Sequence, residues 1–327
     1  MKRLLLTIGY SLLALGLMAC GYSSGITQVD DHLYDDMIVV GFTQVGAESD
    51  WRAANTRSMQ EAFAEADGYK LIFDDAQQKQ ERQITAIRNF IQQELDYIVL
   101  APTTETGWDT VLQEAKAAGI PVIIVDRMIE VEDESLFTCW IGSDFRKEGD
   151  AAAAWMEQRF GNMPINIVHL QGNLGSTAQI GRTGGLDAGI EANENWNLLA
   201  RESGEFTQAK GQEVMESFLN RYADINVVYS ENDNMAYGVI DALKTVGLRP
   251  GKDVTVISFD ANHAALEMTL EGFISLNVEC NPLHGPRVRD IIEQLEAGET
   301  PQKFTYVEET VFDSRTITRE IINSREY

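Results

Sequence analysis

The sequence predicts an α/β protein built from two doubly wound, Rossmann-like lobes. From Met37 onward, short apolar runs rich in β-branched residues alternate with longer stretches of helical periodicity. Most runs are apolar on consecutive residues, which is typical of central strands in a parallel sheet covered on both faces. The runs are too numerous for one sheet of ordinary width, and 327 residues are comfortable for two domains.

Nine runs are predicted as strands. They are MIVVGF, YKLIF, DYIVLAP, IPVIIVD, LFTCWIG, INIVHLQG, INVVYSE, VTVISFD and FISLNVEC. The stretches between them predict helices, most clearly QQKQERQITAIRNFIQQ, KEGDAAAAWMEQRF, AKGQEVMESFLNRY and NMAYGVIDALKTVG. In the first of these, Ile84, Ile87 and Ile91 recur at three and four residues and therefore share one face. The last ends at Gly247, a favourable residue just beyond a helix.

The order of the elements predicts three crossings between the lobes. The first falls near 141–150, and the chain returns near 279–282 and near Phe312. The predicted N-terminal lobe is 37–143 with 282–311, and the predicted C-terminal lobe is 144–281 with 312–327. Ligands bind beyond the carboxyl ends of strands in open α/β sheets, so two lobes with facing strand ends would enclose a cleft.

The first residues predict export and lipid anchoring. Two basic residues precede an apolar run of about fifteen, which has the form of a signal peptide (1–19) and is short for a membrane span. The run ends in Leu-Met-Ala-Cys, which resembles a bacterial lipobox with Cys20 as the lipidated residue; 20–36 would be a lipidated tether. An ordinary secretory signal with an incidental Cys20 is the alternative. Either reading places the protein outside the cytoplasm, in the periplasm or on the outer face of the membrane.

The formal net charge of −25 limits the choice of partners. So acidic a chain repels nucleic acid and anionic membrane surfaces, and a neutral ligand is easier to accommodate. Beyond Cys20 the only cysteines are Cys139 and Cys280, both within apolar runs. They could pair in an exported protein, or remain as buried free thiols.

Polar and aromatic side chains follow the predicted strands of both lobes at corresponding ends. The candidate ligand contacts are Glu48, Ser49, Asp50, Trp51, Arg52, Asp126, Arg127, Arg182, Phe206, Asn232 and Asp260. Each has a structural explanation on its own; Asp126, for example, could cap a helix. Together they suit a sugar, because carboxylates accept from hydroxyl groups, guanidinium groups donate, and aromatic rings can cover the C–H faces of a sugar ring.

Signs of catalysis, cofactors or metals are weak. The histidines His32, His169, His263 and His284 are scattered, without metal-ligand spacing. GNLGS lacks the spacing and the lysine of a phosphate loop, and no G-x-S-x-G elbow of the α/β-hydrolase kind follows any predicted strand. We therefore expect neither an enzyme nor a bound metal or cofactor.

These residues and motifs resemble the ribose-type periplasmic sugar-binding proteins of ABC importers, which have the periplasmic binding protein type 1 fold. The resemblance covers Met37 to the C-terminus and rests on IVVGFTQVG, QQKQERQITAIRNFIQQELDYIVLAP, the Asp126-Arg127 pair, GEFTQAKGQEVMESFL, YSENDNMAYGVIDAL, ISFDA and NVECNPLHGP. VGAESDWRAANT and TGWDTVLQEAK resemble the galactofuranose-binding branch. The resemblance implies a monomeric receptor that closes on a monosaccharide and delivers it to a membrane permease, with the candidate residues above as ligand contacts.

Four alternatives remain open at this stage. The sugar could be arabinose, ribose or fructose, and the receptor could present it to a membrane sensor kinase instead of a transporter. Regulators of the lac-repressor type share the fold, but they begin with a DNA-binding helix-turn-helix where this chain has an export signal. An enzyme would turn over sugar in purified form.

Overall fold

A computed structural model describes residues 36–327 of the chain. The predicted signal peptide, the lipidated Cys20 and all of the tether except Asp36 lie outside the described residues. The strands are β1 (Ile38–Gln44), β2 (Tyr69–Asp75), β3 (Tyr97–Leu100), β4 (Val122–Val125), β5 (Cys139–Gly142), β6 (Ile165–Gln171), β7 (Trp196–Ser203), β8 (Val227–Ser230), β9 (Thr255–Asp260), β10 (Leu276–Glu279), β11 (Phe304–Tyr306) and β12 (Val311–Asp313). The helices are α1 (Asp50–Ala62), α2 (Gln80–Gln92), α3 (Asp109–Ala117), α4 (Phe145–Phe160), α5 (Thr177–Ala192), α6 (Gln208–Arg221), α7 (Asp233–Thr245), α8 (His263–Leu270), α9 (Gly285–Glu296) and α10 (Arg319–Asn323).

The strands form two six-stranded sheets, one in each lobe. The order in the first is β11-β5-β4-β3-β1-β2, and every pair in it is parallel. The order in the second is β12-β10-β9-β8-β6-β7, parallel except for the antiparallel pair of β10 and β12. The predicted class, two doubly wound α/β lobes, is confirmed.

Apolar side chains cover both faces of each sheet. In the first lobe one cluster contains Phe42 and Met59 and the other contains Ile98 and Trp108, all buried. Helix α2 packs its Ile87 into the second of these clusters, as its periodicity predicts. The consecutive apolar residues of β3 and β4 are all buried, because helices lie on both faces.

The chain passes between the lobes three times. It leaves the first sheet after β5, returns after β10 to form α9, and crosses again between β11 and β12. The residue limits of the lobes remain a prediction, but Val311, predicted in the first lobe, pairs with Val278 in the second sheet. We call the three connecting segments 143–144, 280–284 and 307–310 the crossings.

Three strands were missing from the predicted runs. Strand β7 lies at a sheet edge with most side chains only partly buried, so polar residues interrupt its pattern. Strands β11 and β12 have three residues each, too few for a periodic signal. Cys139 and Cys280 are buried free thiols, so of the two possibilities the structure has the unpaired one. Within residues 36–327, no helix is long and apolar enough to cross a membrane.

Candidate functional site

A pocket lies between the lobes, at the carboxyl ends of the strands. It brings together all the sequence-predicted contacts within the described residues except Asp50. Its lining residues are Glu48, Ser49, Trp51, Arg52, Asp126, Arg127, Phe145, Ala178, Arg182, Phe206, Asn232, Asp260 and Cys280.

The first wall of the pocket is the start of α1. Ser49 caps this helix, and its hydroxyl accepts the backbone N–H of Arg52. The cap places Trp51 and Arg52 in the first turn, with both side chains buried against the pocket. Arg52 Nε lies 3.2 Å from Glu48 Oε1, and Arg52 Nη1 lies 2.8 Å from Asp126 Oδ2. The guanidinium group therefore joins the two carboxylates of this wall.

Asp126 and Arg127 lie in the loop that follows β4. Asp126 is 3% exposed and does not cap a helix, because an irregular loop follows it. Arg127 donates from Nη1 to the carbonyl oxygen of Thr103 at 3.1 Å. Its guanidinium carbon lies 5.5 Å from the ring centre of Phe206, which belongs to the other lobe, so the pair forms a cation–π contact across the cleft.

Arg182 anchors the second wall. It lies in α5, and its Nε is 2.6 Å from Glu148 Oε2 while its Nη2 is 3.4 Å from Asp260 Oδ1. Asn232 caps α7 by accepting the N–H of Met235, and it donates from Nδ2 to the carbonyl oxygen of Phe206. An amide nitrogen has two protons, so Asn232 retains one for a ligand.

Three pocket residues have backbone conformations that favour glycine. The φ angles are 64° at Asp126, 60° at Phe206 and 102° at Asp260. Such strain concentrates at functional sites, where the surrounding structure imposes it. The Phe206 ring also requires Gly172, since a Cβ atom there would lie 1.8 Å from the ring.

Burial and paired charges set the ionisation of the pocket. Burial alone would raise the pKa of Asp126, but the guanidinium groups of Arg52 and Arg127 outweigh it, and the pKa lies below its usual value. Burial and repulsion from Arg52 lower the pKa of Arg127 to about 10, which leaves it charged at neutral pH. Burial raises the pKa of Asp260 well above its usual value, against the opposing effect of Arg182.

One acceptor in the wall lacks a partner. Glu48 Oε1 binds Arg52, but Glu48 Oε2 is buried and has no hydrogen-bond partner within residues 36–327. A buried acceptor without a donor costs about 1–3 kcal/mol. Glu48 therefore has an unused acceptor at a site that a ligand hydroxyl group could satisfy.

Aromatic side chains supply the apolar part of the pocket. The Trp51 indole donates from Nε1 to the carbonyl oxygen of Cys280 at 2.7 Å, which ties α1 to the second crossing. Trp51 belongs to the same buried cluster as Phe145 and Phe206. These rings can cover the C–H faces of a ligand while charged groups bind its polar edge.

Asp50 lies outside the pocket, at its rim. Its backbone N–H donates to Asn234 Oδ1 at 3.0 Å, and its Oδ2 accepts from Asn234 Nδ2 at 3.3 Å. Asn234 is in α7 of the second lobe, so this pair bridges the cleft. A second bridge joins Gln78 Oε1 to Asn173 Nδ2 at 3.1 Å. The lobes are thus in contact along the rim, in a closed arrangement.

Three lining residues were missed by sequence reasoning. Phe145 directly follows the first crossing, Cys280 is the first residue of the second crossing, and Ala178 is in the first turn of α5. Phe145 and Cys280 could have been found by inspecting the predicted crossings as well as the strand ends. Ala178 gives no chemical signal, because it contributes only a small surface.

Comparison with known proteins is consistent with this geometry. Residues 40–282 match the family model described as periplasmic binding protein domain. The chain is 39% identical to the galactofuranose-binding protein YtfQ of Escherichia coli K12 over 288 residues, 87% of this chain and 90% of the relative.

Solved structures give the same result. A Mycobacterium smegmatis protein in complex with β-D-fucofuranose has a TM-score of 0.82 at 41% identity, over 85% of this chain and 92% of that one. The arabinose-transporter component of Shewanella sp. ANA-3, bound to α- and β-L-arabinofuranose, has a TM-score of 0.82 at 40% identity, over 88% of this chain and 99% of that one. The chain belongs to the periplasmic binding protein family and is accordingly an exported binding receptor of a transport system, not an enzyme.

Proposed function

We propose that the protein is the sugar receptor of an ABC importer and that it binds a monosaccharide in furanose form, with galactofuranose as the favoured ligand. The main support is the pocket wall at Glu48, Arg52 and Asp126. Its two carboxylates are balanced by Arg52 and by Arg127, which lies 4.0 Å from Asp126, so a charged ligand is not needed. Glu48 Oε2 remains available as a buried acceptor. A neutral polyhydroxy ligand supplies hydroxyl donors without adding net charge.

The relatives narrow the sugar to a class. The three named above are described with galactofuranose, fucofuranose and arabinofuranose, which share a five-membered ring. The pocket suits such a ring, since charged groups from both lobes surround the polar edge and Trp51, Phe145 and Phe206 provide apolar surface. The predicted ligand contacts that line the pocket are the residues we assign to binding.

Binding is coupled to closure of the lobes. In this scheme an open form admits the sugar to one wall, and closure brings the second wall and the rim contacts together. Affinity in the micromolar range, about −8 kcal/mol, suits a carrier that must also release its ligand to the permease. Calorimetry of the purified protein against galactose, arabinose, fucose, ribose and fructose tests the class, and binding of none of them would refute it.

The ring form needs a separate measurement, because each free sugar is a mixture of forms. With [1-¹³C]galactose bound, the chemical shift of the anomeric carbon distinguishes furanose from pyranose. A furanose signal is expected. A pyranose signal would refute the ring assignment and leave the sugar receptor standing.

We further propose that the receptor is a monomer anchored by lipid on Cys20. The support is the apolar run that ends in Leu-Met-Ala-Cys, and lipid chains contribute about 0.8 kcal/mol for each buried methylene. Cys20→Ser should move the protein from the membrane fraction to the soluble fraction. Unchanged membrane attachment of Cys20→Ser would refute the anchor, and gel filtration of the released protein reports its oligomeric state.

A further inference from the structure

A cluster of three ionisable side chains lies at the crossings, next to the sugar pocket, which one of them, Cys280, also lines. Glu148 is in α4, Cys280 is in the second crossing and Glu309 is in the third. One potential ligand atom from each lies within 4.8 Å of the other two. Glu148 and Cys280 are almost fully buried, with 3% and 2% exposure.

One oxygen of this cluster lacks a partner. Glu148 Oε2 binds Arg182, but Glu148 Oε1 is buried and has no hydrogen-bond partner within residues 36–327. The other two groups are held in place through Ser143, whose hydroxyl donates to Glu309 Oε1 at 2.5 Å and lies 3.3 Å from Cys280 Sγ. The backbone N–H of Asn281 also donates to Glu309 Oε1, at 2.8 Å.

Without a bound cation, burial favours the protonated forms of the three groups. Burial raises the pKa of Glu148 and of Cys280 well above their usual values, and nearby acids, Glu309 among them, add to both shifts. Burial also raises the pKa of Glu309 to about 7. Arg182 opposes all three shifts, but one guanidinium group cannot neutralise three anions. A divalent cation together with Arg182 would compensate the three charges.

The cluster adjoins an open groove on the crossings. This groove is lined by Glu148 and Glu309 together with Asp144, Glu308 and Lys147. Acidic side chains outnumber basic ones in this set, which favours the approach of a cation. An ion could therefore reach the cluster without passing through the sugar pocket.

We propose that Glu148, Cys280 and Glu309 form a binding site for a thiophilic divalent cation of the Zn²⁺ type. One thiolate and two carboxylates are ligands that zinc accepts, and water or the Ser143 hydroxyl can complete a four-coordinate site. Mg²⁺ and Ca²⁺ prefer oxygen ligands alone, so the cysteine selects against them. The bound ion would join α4 to the second and third crossings. The proposal does not depend on which sugar the protein binds.

Zinc binding can be measured on the sugar-free full chain carrying Cys20→Ser, which leaves Cys139 and Cys280 as its two thiols. Equilibrium dialysis against ZnCl₂ should show one ion per chain, with affinity that increases with pH because the metal competes with protons for its ligands. Cys280→Ala and Glu309→Gln should each weaken binding at least tenfold. Cys139→Ala is the matched control, because Cys139 is also a buried free thiol, and it should leave binding unchanged.

Co²⁺ provides a readout that does not rely on variants. A cobalt ion bound to a thiolate gives a charge-transfer absorption in the near ultraviolet. The protein with both Cys139 and Cys280 intact should show this absorption, and an excess of Mg²⁺ should not displace the bound Co²⁺. The proposal is overturned if this absorption is absent, if zinc binding survives both Cys280→Ala and Glu309→Gln, or if Cys139→Ala removes it. Should Cys280→Ala fail to fold, Glu309→Gln and the cobalt absorption still decide.

Discussion

The contact between Asp50 and Asn234 predicts that closure can be weakened without touching the sugar pocket. Asn234 bridges the cleft through two hydrogen bonds to Asp50, at 3.0 and 3.3 Å, and does not line the pocket. Each such bond contributes a net stabilisation of about 0.5–1.5 kcal/mol, and partial exposure favours the lower part of this range. Asn234→Ala should therefore destabilise the closed form by about 1–2 kcal/mol.

If the sugar-free protein is mostly open, this loss of closure free energy appears in full as a loss of sugar affinity. The apparent dissociation constant then increases in proportion to the lost closed population, by about 5- to 30-fold. Calorimetry with the cognate sugar measures the change, and small-angle scattering should show that the sugar-free Asn234→Ala protein is at least as open as the parent. Dissociation should become faster, while association should change little.

A double-mutant cycle isolates the contact. Asp50→Ala should weaken binding less, because the backbone N–H of residue 50 keeps its hydrogen bond to Asn234 and only the side-chain bond is lost. The double variant should be little weaker than Asn234→Ala alone, since Asn234→Ala already removes both bonds. Asn89→Ala, on the exposed face of α2, is the matched control and should bind normally. Strictly additive losses, or normal affinity of Asn234→Ala, would show that the rim pair does not hold the lobes closed.

Three further predictions concern the pocket and its support. Asp126→Ala should reduce sugar affinity by at least 100-fold in calorimetry, because it removes a charged acceptor and leaves the buried Arg52 with one fewer partner. A loss smaller than tenfold would show that Asp126 does not contact the sugar. Gly172→Ala should displace the Phe206 ring, since the new methyl group would overlap it. The substitution should cost about 1–3 kcal/mol of sugar binding or of folding stability. Unchanged calorimetry and denaturation curves would contradict the close approach of the Phe206 ring to Gly172. Burial lowers the pKa of His284 to about 4, so between pH 6.5 and 4 the unfolded chain binds a proton that the folded protein does not. The free energy of unfolding should therefore fall by about 3 kcal/mol more in the parent than in His284→Gln as the pH drops across this window; equal pH slopes in urea denaturation would refute the assignment.

Strand ends could be predicted well because their signal is local. An apolar run followed by Asp126-Arg127, or by Asn232, is visible in the sequence and places these side chains at one edge of a sheet. Whether such residues meet across a cleft depends on the packing of two lobes, which no local pattern contains. For the same reason Asp50 was grouped with its neighbours, although the turn of α1 directs it to the rim and Trp51 to the pocket.

The sequence predicts three crossings but not their chemistry. Cys280 was considered only as a possible disulfide partner or a buried free thiol, and Glu309 lies in a short segment without periodicity. Their proximity to Glu148 arises from three distant parts of the chain that meet where the lobes join. Edge strands such as β7 were lost for a related reason, because partial exposure admits polar residues and hides the pattern.

The left-handed backbone at Asp126, Phe206 and Asp260 has a consequence for engineering and evolution. Each conformation costs of the order of 1–3 kcal/mol with a side chain present, and glycine would relieve much of that strain. Substitution by glycine at any of the three could therefore yield a more thermostable protein with a poorer ligand site. A selection for heat resistance alone would be expected to remove function at these positions first, so a stabilisation programme should hold them fixed.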